Sequence, residues 1–174
     1  MISISIIIPV FNEEKTIFKI LEKFISLREK FNLELIVVND GSTDNTKNIL
    51  EGNNNLYDNV IHFDKNMGKG KAIIEGLINS KNDFIYFQDA DLEYNPKDLI
   101  LFIEEQKNSN ADFIMGSRFS KENLKKLPFF SVLGNKTVTN FFNIINFTSF
   151  SDMCCCTCLF ERKILPINKI QSYS

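Results

Sequence analysis

Apolar and polar positions alternate along this chain in blocks that have the lengths of strands and helices. Five apolar runs, most of them rich in β-branched residues, predict buried strands, and segments with helical spacing separate them. This alternation predicts an α/β fold with an open, mostly parallel sheet and helices on both faces. The predicted strands are Ser3–Val10, Leu33–Val38, Val60–Phe63, Asp83–Gln88 and Ala111–Met115.

Five segments have the periodicity of helices. The first follows Asn12, a favoured N-cap residue, and carries acidic residues in its first turn. The last is apolar over a wide stripe, which suits packing in the core, contact with a second subunit in a homo-oligomer, or peripheral contact with a membrane. The predicted helices span residues 13–30, 44–50, 69–80, 96–107 and 128–147.

The composition is that of an ordinary globular domain. Of the 174 residues 44% are apolar, and 20 basic against 22 acidic side chains give a net charge of −2. This length suits one domain, and the small net charge gives no general attraction to nucleic acid or to an anionic membrane. No apolar run approaches the ~18 residues of a transmembrane helix, and no signal peptide is evident, so we expect a cytoplasmic location.

The cysteines are confined to a single short segment, at Cys154, Cys155, Cys156 and Cys158. A structural zinc site requires separated pairs, and a disulfide framework requires cysteines spread along the chain. We therefore predict reduced packing residues, with S-acylation or metal binding as the alternatives.

Polar residues follow four of the predicted strands, at the sheet edge where open α/β folds bind ligands. The Asp89-Ala90-Asp91 segment is the most informative of them, because residues i and i+2 of an extended chain face the same side. Both carboxylates can then meet one Mg²⁺ or Mn²⁺ ion together with substrate phosphates, and Glu93 is a candidate third ligand. The alternative is a solvated acidic turn.

The segment Asn66–Ala72 places two glycines and two lysines at the start of the third predicted helix. A glycine-rich helix start allows an anion to approach the backbone, although a simple turn is the alternative. The spacing matches neither a P-loop nor a dinucleotide fingerprint. The single histidine, His62, lies within a predicted strand, where packing is the more common role.

Five motifs occur together in the order and spacing of one enzyme family. They are Pro9–Glu14, Val38–Asp44, Gly68–Gly70, Gln88–Asp91 and Gly116–Arg118. With them the chain resembles the inverting family 2 glycosyltransferases of the GT-A fold, and among these the dolichyl- or polyprenyl-phosphate mannose or glucose synthases. The match is strong over about residues 4–118 and weak over 119–160.

The resemblance implies a nucleotide-diphosphate-sugar donor, with GDP or UDP as the nucleotide, and Mg²⁺ or Mn²⁺ as cofactor. The residues that it implies for the nucleotide sugar are Pro9, Asn12, Glu13, Asp40, Ser42, Lys69, Gln88, Asp89, Ala90 and Asp91. The implied metal ligands are Asp89, Asp91 and Glu93, and the implied catalytic residues are Asp91, Arg118 and Asp152. Arg118 would face the donor diphosphate or an acceptor phosphate.

The acceptor decides whether the reaction needs a base. A polyprenyl phosphate is already ionised and needs only cations to orient it, for which Lys121, Lys125, Lys126 and Lys136 are available. A sugar hydroxyl needs a base, and the resemblance offers Asp152.

Residues 1–118 are expected to form the nucleotide-sugar and metal-binding half of one domain. Residues 119–174 are expected to form an acceptor-side and interface segment that is short for the family. Three functions stay open: sugar transfer to a polyprenyl phosphate at the cytosolic membrane face, transfer to a saccharide hydroxyl, and nucleotide-sugar binding by a truncated chain without turnover.

Overall fold

Among the residues that the structure describes, six strands form one sheet: β1 (Ser3–Val10), β2 (Asn32–Asn39), β3 (Asn59–His62), β4 (Phe84–Phe87), β5 (Phe113–Met115) and β6 (Cys158–Glu161). Their order is β3-β2-β1-β4-β6-β5, and β1 pairs in parallel with both β2 and β4. This computed structural model describes residues 2–119 and 129–166. The five strands predicted from the apolar runs are all present, and the mostly parallel sheet is confirmed.

The helices are α1 (Ile17–Arg28), α2 (Thr46–Gly52), α3 (Lys69–Asn79), α4 (Leu99–Ser109) and α5 (Phe129–Asn146). Pro96 begins a short 3-10 turn that leads into α4, as its preference for a first helical position predicts.

Alternate residues of β1 bury opposite faces of the sheet, and helices cover both. Ile6 and Ile8 belong to the cluster that contains the buried residues of α1 and α4, whereas Ile7 packs with Leu77 of α3. The prediction that helices cover both faces of the sheet is thus confirmed. Helix α3 lies so close to β1 that a Cβ on Gly76 would come within 2.4 Å of Ile7 Cγ2.

The predicted start of the first helix is wrong. Helix α1 begins at Ile17, not at residue 13, and its N-cap is Thr16 rather than Asn12. Asn12 has a left-handed backbone, with φ of 58°, and its Oδ1 accepts a hydrogen bond from the Thr43 amide at 2.8 Å. Because the loop after β2 uses this oxygen, Asn12 does not cap α1.

The strand β6 was not predicted from the sequence pattern. It runs antiparallel to β4, with Phe160 opposite Ile85. Residues 157–166 return to the same compact unit as residues 2–114, whereas residues 115–119 and 129–156 form a second unit. The expected division of roles at residue 118 stays a prediction.

The described part of the second unit contains residues 115–119, α5 and the loop that follows α5. Asn143 fixes the loop after the helix, since its Oδ1 accepts from the Phe150 amide at 3.0 Å and its Nδ2 donates to the Phe150 carbonyl at 2.8 Å. One side of α5 is exposed and apolar, at Leu133, Val138, Phe141, Ile144 and Ile145. None of the described helices is both long enough and apolar enough to span a membrane.

The four cysteines lie in different environments. Cys155 and Cys158 are buried, as predicted for packing residues, Cys154 is partly buried and Cys156 is exposed. Cys158 lies in β6, within the apolar cluster that contains Ile7 and Phe160.

Candidate functional site

A cavity of about 310 Å³ opens where β1, β2 and β4 end. Its position at the carboxyl ends of parallel strands and its volume both fit a small-molecule site. Of the residues predicted to bind the nucleotide sugar, seven line it: Pro9, Glu13, Asp40, Lys69, Asp89, Ala90 and Asp91. Three of the four polar strand ends predicted to converge, those of β1, β2 and β4, are therefore observed together within the first unit. The fourth, Gly116–Arg118 after β5, lies in the second unit, so its part in the convergence stays a prediction.

Asp40 is buried and supports the cavity wall through its carboxylate. Its two oxygens accept hydrogen bonds from the amides of Met67 at 2.7 Å and Gly68 at 2.9 Å. The neighbouring Gly41 has φ of 65°, and a Cβ there would lie 2.3 Å from the carbonyl carbon of Lys65. The β2 loop is therefore packed tightly against the segment that begins α3.

Asn12 and Ser42 do not line the cavity but connect the loops on two of its sides. The Asn12 amide donates to Ser42 Oγ at 2.9 Å, and Asn12 Oδ1 also accepts from the amide of Asp44 at 3.3 Å. Glu13 continues the connection, because its amide donates to Thr46 Oγ1 at 2.9 Å. The two residues of the predicted nucleotide set thus hold the loops that form the cavity, and their direct contact with a ligand stays a prediction.

Gln88 is fully buried and holds the loop that follows β4. Its Nε2 donates to the carbonyls of Asp89 at 3.0 Å and Tyr94 at 3.1 Å. Among the described residues its Oε1 has no hydrogen-bond partner. Gln88 therefore shapes the Asp89–Tyr94 loop from inside.

Asp89 and Asp91 both line the cavity, which fits the predicted cation site. Asp91 Oδ1 accepts from the Glu93 amide at 2.9 Å, and the intervening Leu92 has a left-handed φ of 67°. Glu93 itself is exposed and does not line the cavity, so its role as a third ligand stays a prediction.

No group of three His, Cys, Asp or Glu side chains suited to a metal occurs in the part of the chain that the structure describes. Two carboxylates still fit Mg²⁺ or Mn²⁺, because Mg²⁺ is commonly held by one or two carboxylates together with substrate phosphates and water. The pair Asp89 and Asp91 supplies that donor set at the edge of an open cavity.

Lys69 is the first residue of α3 and forms an ion pair inside the cavity. Its Nζ lies 2.5 Å from Asp89 Oδ1, and the two side chains are 44% and 15% exposed. Lys69, which the resemblance assigns to the nucleotide sugar, therefore lies beside the predicted metal ligand Asp89.

His62 contributes to the support of the site rather than to its lining. Its Nδ1 lies 3.0 Å from Nδ2 of the buried Asn39, whose Oδ1 accepts from the Ser42 amide at 3.1 Å. Burial, with Lys47 as a smaller cause, lowers the pKa of His62. The predicted packing role agrees with this position.

Arg118 and Asp152 form a bidentate ion pair within the second unit. Arg118 Nε lies 2.9 Å from Asp152 Oδ2 and Nη2 lies 3.1 Å from Oδ1, while the amides of Arg118 and Cys154 each donate to the same carboxylate at 3.1 Å. Burial alone would raise the pKa of Asp152, but these hydrogen bonds and the guanidinium charge hold it below its ordinary value. Asp152 is therefore an ionised carboxylate whose two oxygens already accept hydrogen bonds from Arg118 and Cys154.

The remaining lysines proposed for an acceptor phosphate are only partly described. Lys136 Nζ lies 5.7 Å from the centre of the Phe119 ring, whereas Lys121, Lys125 and Lys126 lie outside the described residues.

Four further cavity-lining residues were not among the predicted site residues: Val10, Phe11, Asn66 and Gly68. These residues could have been found because they are adjacent to the predicted motifs. Phe11 is in addition an aromatic residue directly after a buried strand.

Comparisons with known proteins connect this chain to one family. The sequence profile described as "Glycosyl transferase family 2" matches residues 5–166. A dolichyl-phosphate beta-glucosyltransferase of Trichomonas vaginalis is 31% identical over 138 residues, which are 72% of this chain and 43% of that protein. An undecaprenyl-phosphate 4-deoxy-4-formamido-L-arabinose transferase of Proteus mirabilis is 36% identical over 101 residues, 55% of this chain and 31% of that one. The chain thus spans less than half the length of these two relatives.

The fold itself is found among solved structures. Glucosyl-3-phosphoglycerate synthase of Mycobacterium tuberculosis, in complex with Mn²⁺, UDP and glucosyl-3-phosphoglycerate, matches with a TM-score of 0.69 at 18% identity. The match covers 94% of this chain and 58% of that one. At this identity the likeness shows a shared fold.

Proposed function

Because the chain belongs to glycosyl transferase family 2 and has its GT-A fold, we propose that it transfers a sugar, with inversion, from a GDP- or UDP-sugar to a polyprenyl or dolichyl phosphate. The observation that carries this proposal is the cavity at the ends of β1, β2 and β4, which collects Asp89, Asp91 and Lys69. The relatives named as dolichyl- and undecaprenyl-phosphate transferases support the acceptor class.

The donor is proposed to bind in this cavity. Pro9, Glu13 and Asp40 lie on the β1 and β2 side of it, where the resemblance implies the nucleoside. Asp40 keeps the start of α3 in place by accepting two amide hydrogen bonds, at 2.7 and 2.9 Å. The diphosphate is then directed to the side that carries Lys69, Asp89 and Asp91.

Asp89 and Asp91 are proposed as the residues that would hold Mg²⁺ or Mn²⁺ when the donor is bound. The bound ion supplies electrostatic stabilisation for the charge that develops on the leaving nucleoside diphosphate. In the transfer, the bond between the anomeric carbon and the diphosphate oxygen breaks, and its electron pair stays on the diphosphate. An acceptor oxygen forms the new bond from the opposite face of the sugar.

The state of Asp152 supports a phosphate acceptor over a hydroxyl. A base must take a proton, and its efficiency falls when its pKa is held low and its oxygens are occupied. Asp152 has a lowered pKa and accepts hydrogen bonds from Arg118 and Cys154. An ionised phosphate needs no such base, so we propose that Asp152 positions Arg118, whose guanidinium contributes to phosphate binding.

Contact with the cytosolic face of a membrane is proposed for α5. Its sequence contains no acidic residue and one lysine, and Phe141, Ile144 and Ile145 are exposed on one side. An apolar stripe of this kind lies stably at a lipid interface, where a polyprenyl phosphate is also found.

A transfer assay tests the proposed reaction. The purified chain is incubated with radiolabelled UDP- or GDP-sugars, a polyprenyl phosphate and Mn²⁺ or Mg²⁺, and the organic-extractable label is counted. We expect label in the lipid phase and an inverted anomeric configuration by NMR. Label in a saccharide product instead would favour the hydroxyl acceptor, and nucleotide binding by calorimetry without transfer would favour a binding protein.

The metal assignment has its own variant. Asp91→Asn should lower transfer by at least about a hundredfold, because it removes a charge from the proposed ion site. Glu104→Gln, the same kind of change on the exposed side of α4, should leave transfer unchanged. Full activity of Asp91→Asn would overturn the assignment.

A further inference from the structure

The described lining of the cavity is strongly acidic apart from one cation. It contains Glu13, Asp40, Asp89 and Asp91 together with Lys69, which gives a formal charge of 1 − 4 = −3. The proposed divalent cation and the donor diphosphate carry opposite charges. The cation is attracted by the carboxylates, and the diphosphate is attracted by the lysine. Their binding must therefore depend on how these few charges are paired.

The pairing in the structure joins the cation to one of the proposed metal ligands. Lys69 Nζ lies 2.5 Å from Asp89 Oδ1, and the Asp89 side chain is only 15% exposed. Lys69 is also the first residue of α3, where the positive end of the helix dipole disfavours a lysine. Asp89 offsets that repulsion, so this contact is the arrangement that the local charges favour.

We infer that Lys69 is the internal counter-ion of Asp89 and couples binding of the diphosphate to binding of the divalent cation. Lys69 competes with the ion for Asp89 and repels it. A diphosphate in the cavity gives the ammonium another anion to pair with, which frees Asp89 Oδ1 for the ion. The inference rests on the proposed function, because it assigns Lys69 a role between the donor and the metal.

This role predicts changes of opposite sign for the two ligands. In Lys69→Met, Mn²⁺ alone should bind about five- to tenfold more tightly, because a competing and repelling charge is gone. UDP or GDP in EDTA should bind about three- to tenfold more weakly, because the diphosphate loses a cation. The factor by which nucleotide and Mn²⁺ enhance each other should fall accordingly.

Two further variants separate this effect from general damage. Lys69→Arg keeps a cation and should return both affinities to within about twofold of the unmodified chain. Lys47→Met removes the same charge at an exposed position that pairs with Glu51, and should change neither affinity.

Calorimetry measures the nucleotide, and electron paramagnetic resonance of free Mn²⁺ measures the ion, both on the full chain after a thermal-denaturation check of folding. Equal Mn²⁺ affinity in Lys69→Met and the unmodified chain would overturn the inference, as would a loss of affinity for both ligands. If neither UDP nor GDP binds the unmodified chain, the proposed donor site fails; the Mn²⁺ titration alone still decides whether Lys69 competes at Asp89.

Discussion

At the scale of single residues, the carboxylates of this chain have different tasks that their surroundings impose. Asp40 uses both oxygens to hold backbone amides, and Asp152 is fully occupied by Arg118 and Cys154. Asp91 accepts a hydrogen bond from the Glu93 amide within its own turn and borders the open cavity. The residue type alone does not separate these tasks.

The Arg118–Asp152 pair makes stability depend on pH in a calculable direction. The pKa of Asp152 is lower in the folded chain than its ordinary value, so its contribution is complete above the unfolded pKa and is lost as pH falls through the folded pKa. Asp152→Asn should destabilise the chain by about 2–4 kcal/mol at neutral pH, because a part-buried guanidinium loses its charge partner.

Urea unfolding of the unmodified chain and Asp152→Asn at several pH values tests this dependence. The difference in free energy of unfolding should shrink as the pH falls from about 5 towards 3. Asp64→Asn, at an exposed loop position, should show no comparable difference at any pH. A difference that stays constant with pH would contradict the ionised state assigned to Asp152.

At the scale of elements, buried strands were easier to predict than helix ends. The β1 run of isoleucines is apolar on both faces, which only a strand covered by helices on both sides satisfies. The predicted start of α1 is wrong because an asparagine can either cap a helix or hydrogen-bond to a neighbouring loop. Asn12 does the latter, and its contact with the Thr43 amide cannot be read from the sequence. β6 was not predicted because its four residues are too few to show a hydrophobic periodicity, and because its partner β4 lies far away in the sequence.

The packing of α3 on β1 gives a prediction with a control in the same helix. Gly76→Ala should destabilise the chain by about 1–3 kcal/mol, because the added Cβ would meet the β-branched side chain of the buried Ile7 at 2.4 Å. Gly70→Ala adds the same methyl group where no atom lies within 4 Å and should be neutral or slightly stabilising. Chemical denaturation of both variants checks the contrast, and equal stability would contradict the close approach.

At the scale of the whole molecule, the sequence predicted the residues around the cavity better than the contacts within the second unit. The residues around the cavity lie in motifs directly after strands, so order along the chain becomes proximity at one sheet edge. The contacts within the second unit join loops, as Arg118 with Asp152 does, and no periodicity in the sequence encodes them. The Lys69–Asp89 pair was also not predicted, because it joins the start of α3 to the end of β4.

The exposed face of α5 carries the last prediction, which concerns how the chain meets a membrane. Phe141 and Ile144 are 66% and 73% exposed, so each has apolar area to lose on contact with lipid. The double variant Phe141→Ser with Ile144→Ser should reduce partition into phosphatidylcholine vesicles by at least about tenfold, since buried apolar area drives such binding. Folding should be unaffected, because neither side chain is buried.

Flotation with vesicles measures this partition directly. The control is Leu101→Ser with Ile164→Ser, two exposed apolar residues of the first unit that are 64% and 41% exposed. If general surface hydrophobicity were responsible, the control would lower binding as much as the α5 variant. If the unmodified chain does not float, the proposed contact through α5 is wrong, and the acceptor must reach the protein without it. Loss confined to the α5 variant is the outcome that the position and composition of this helix lead us to expect.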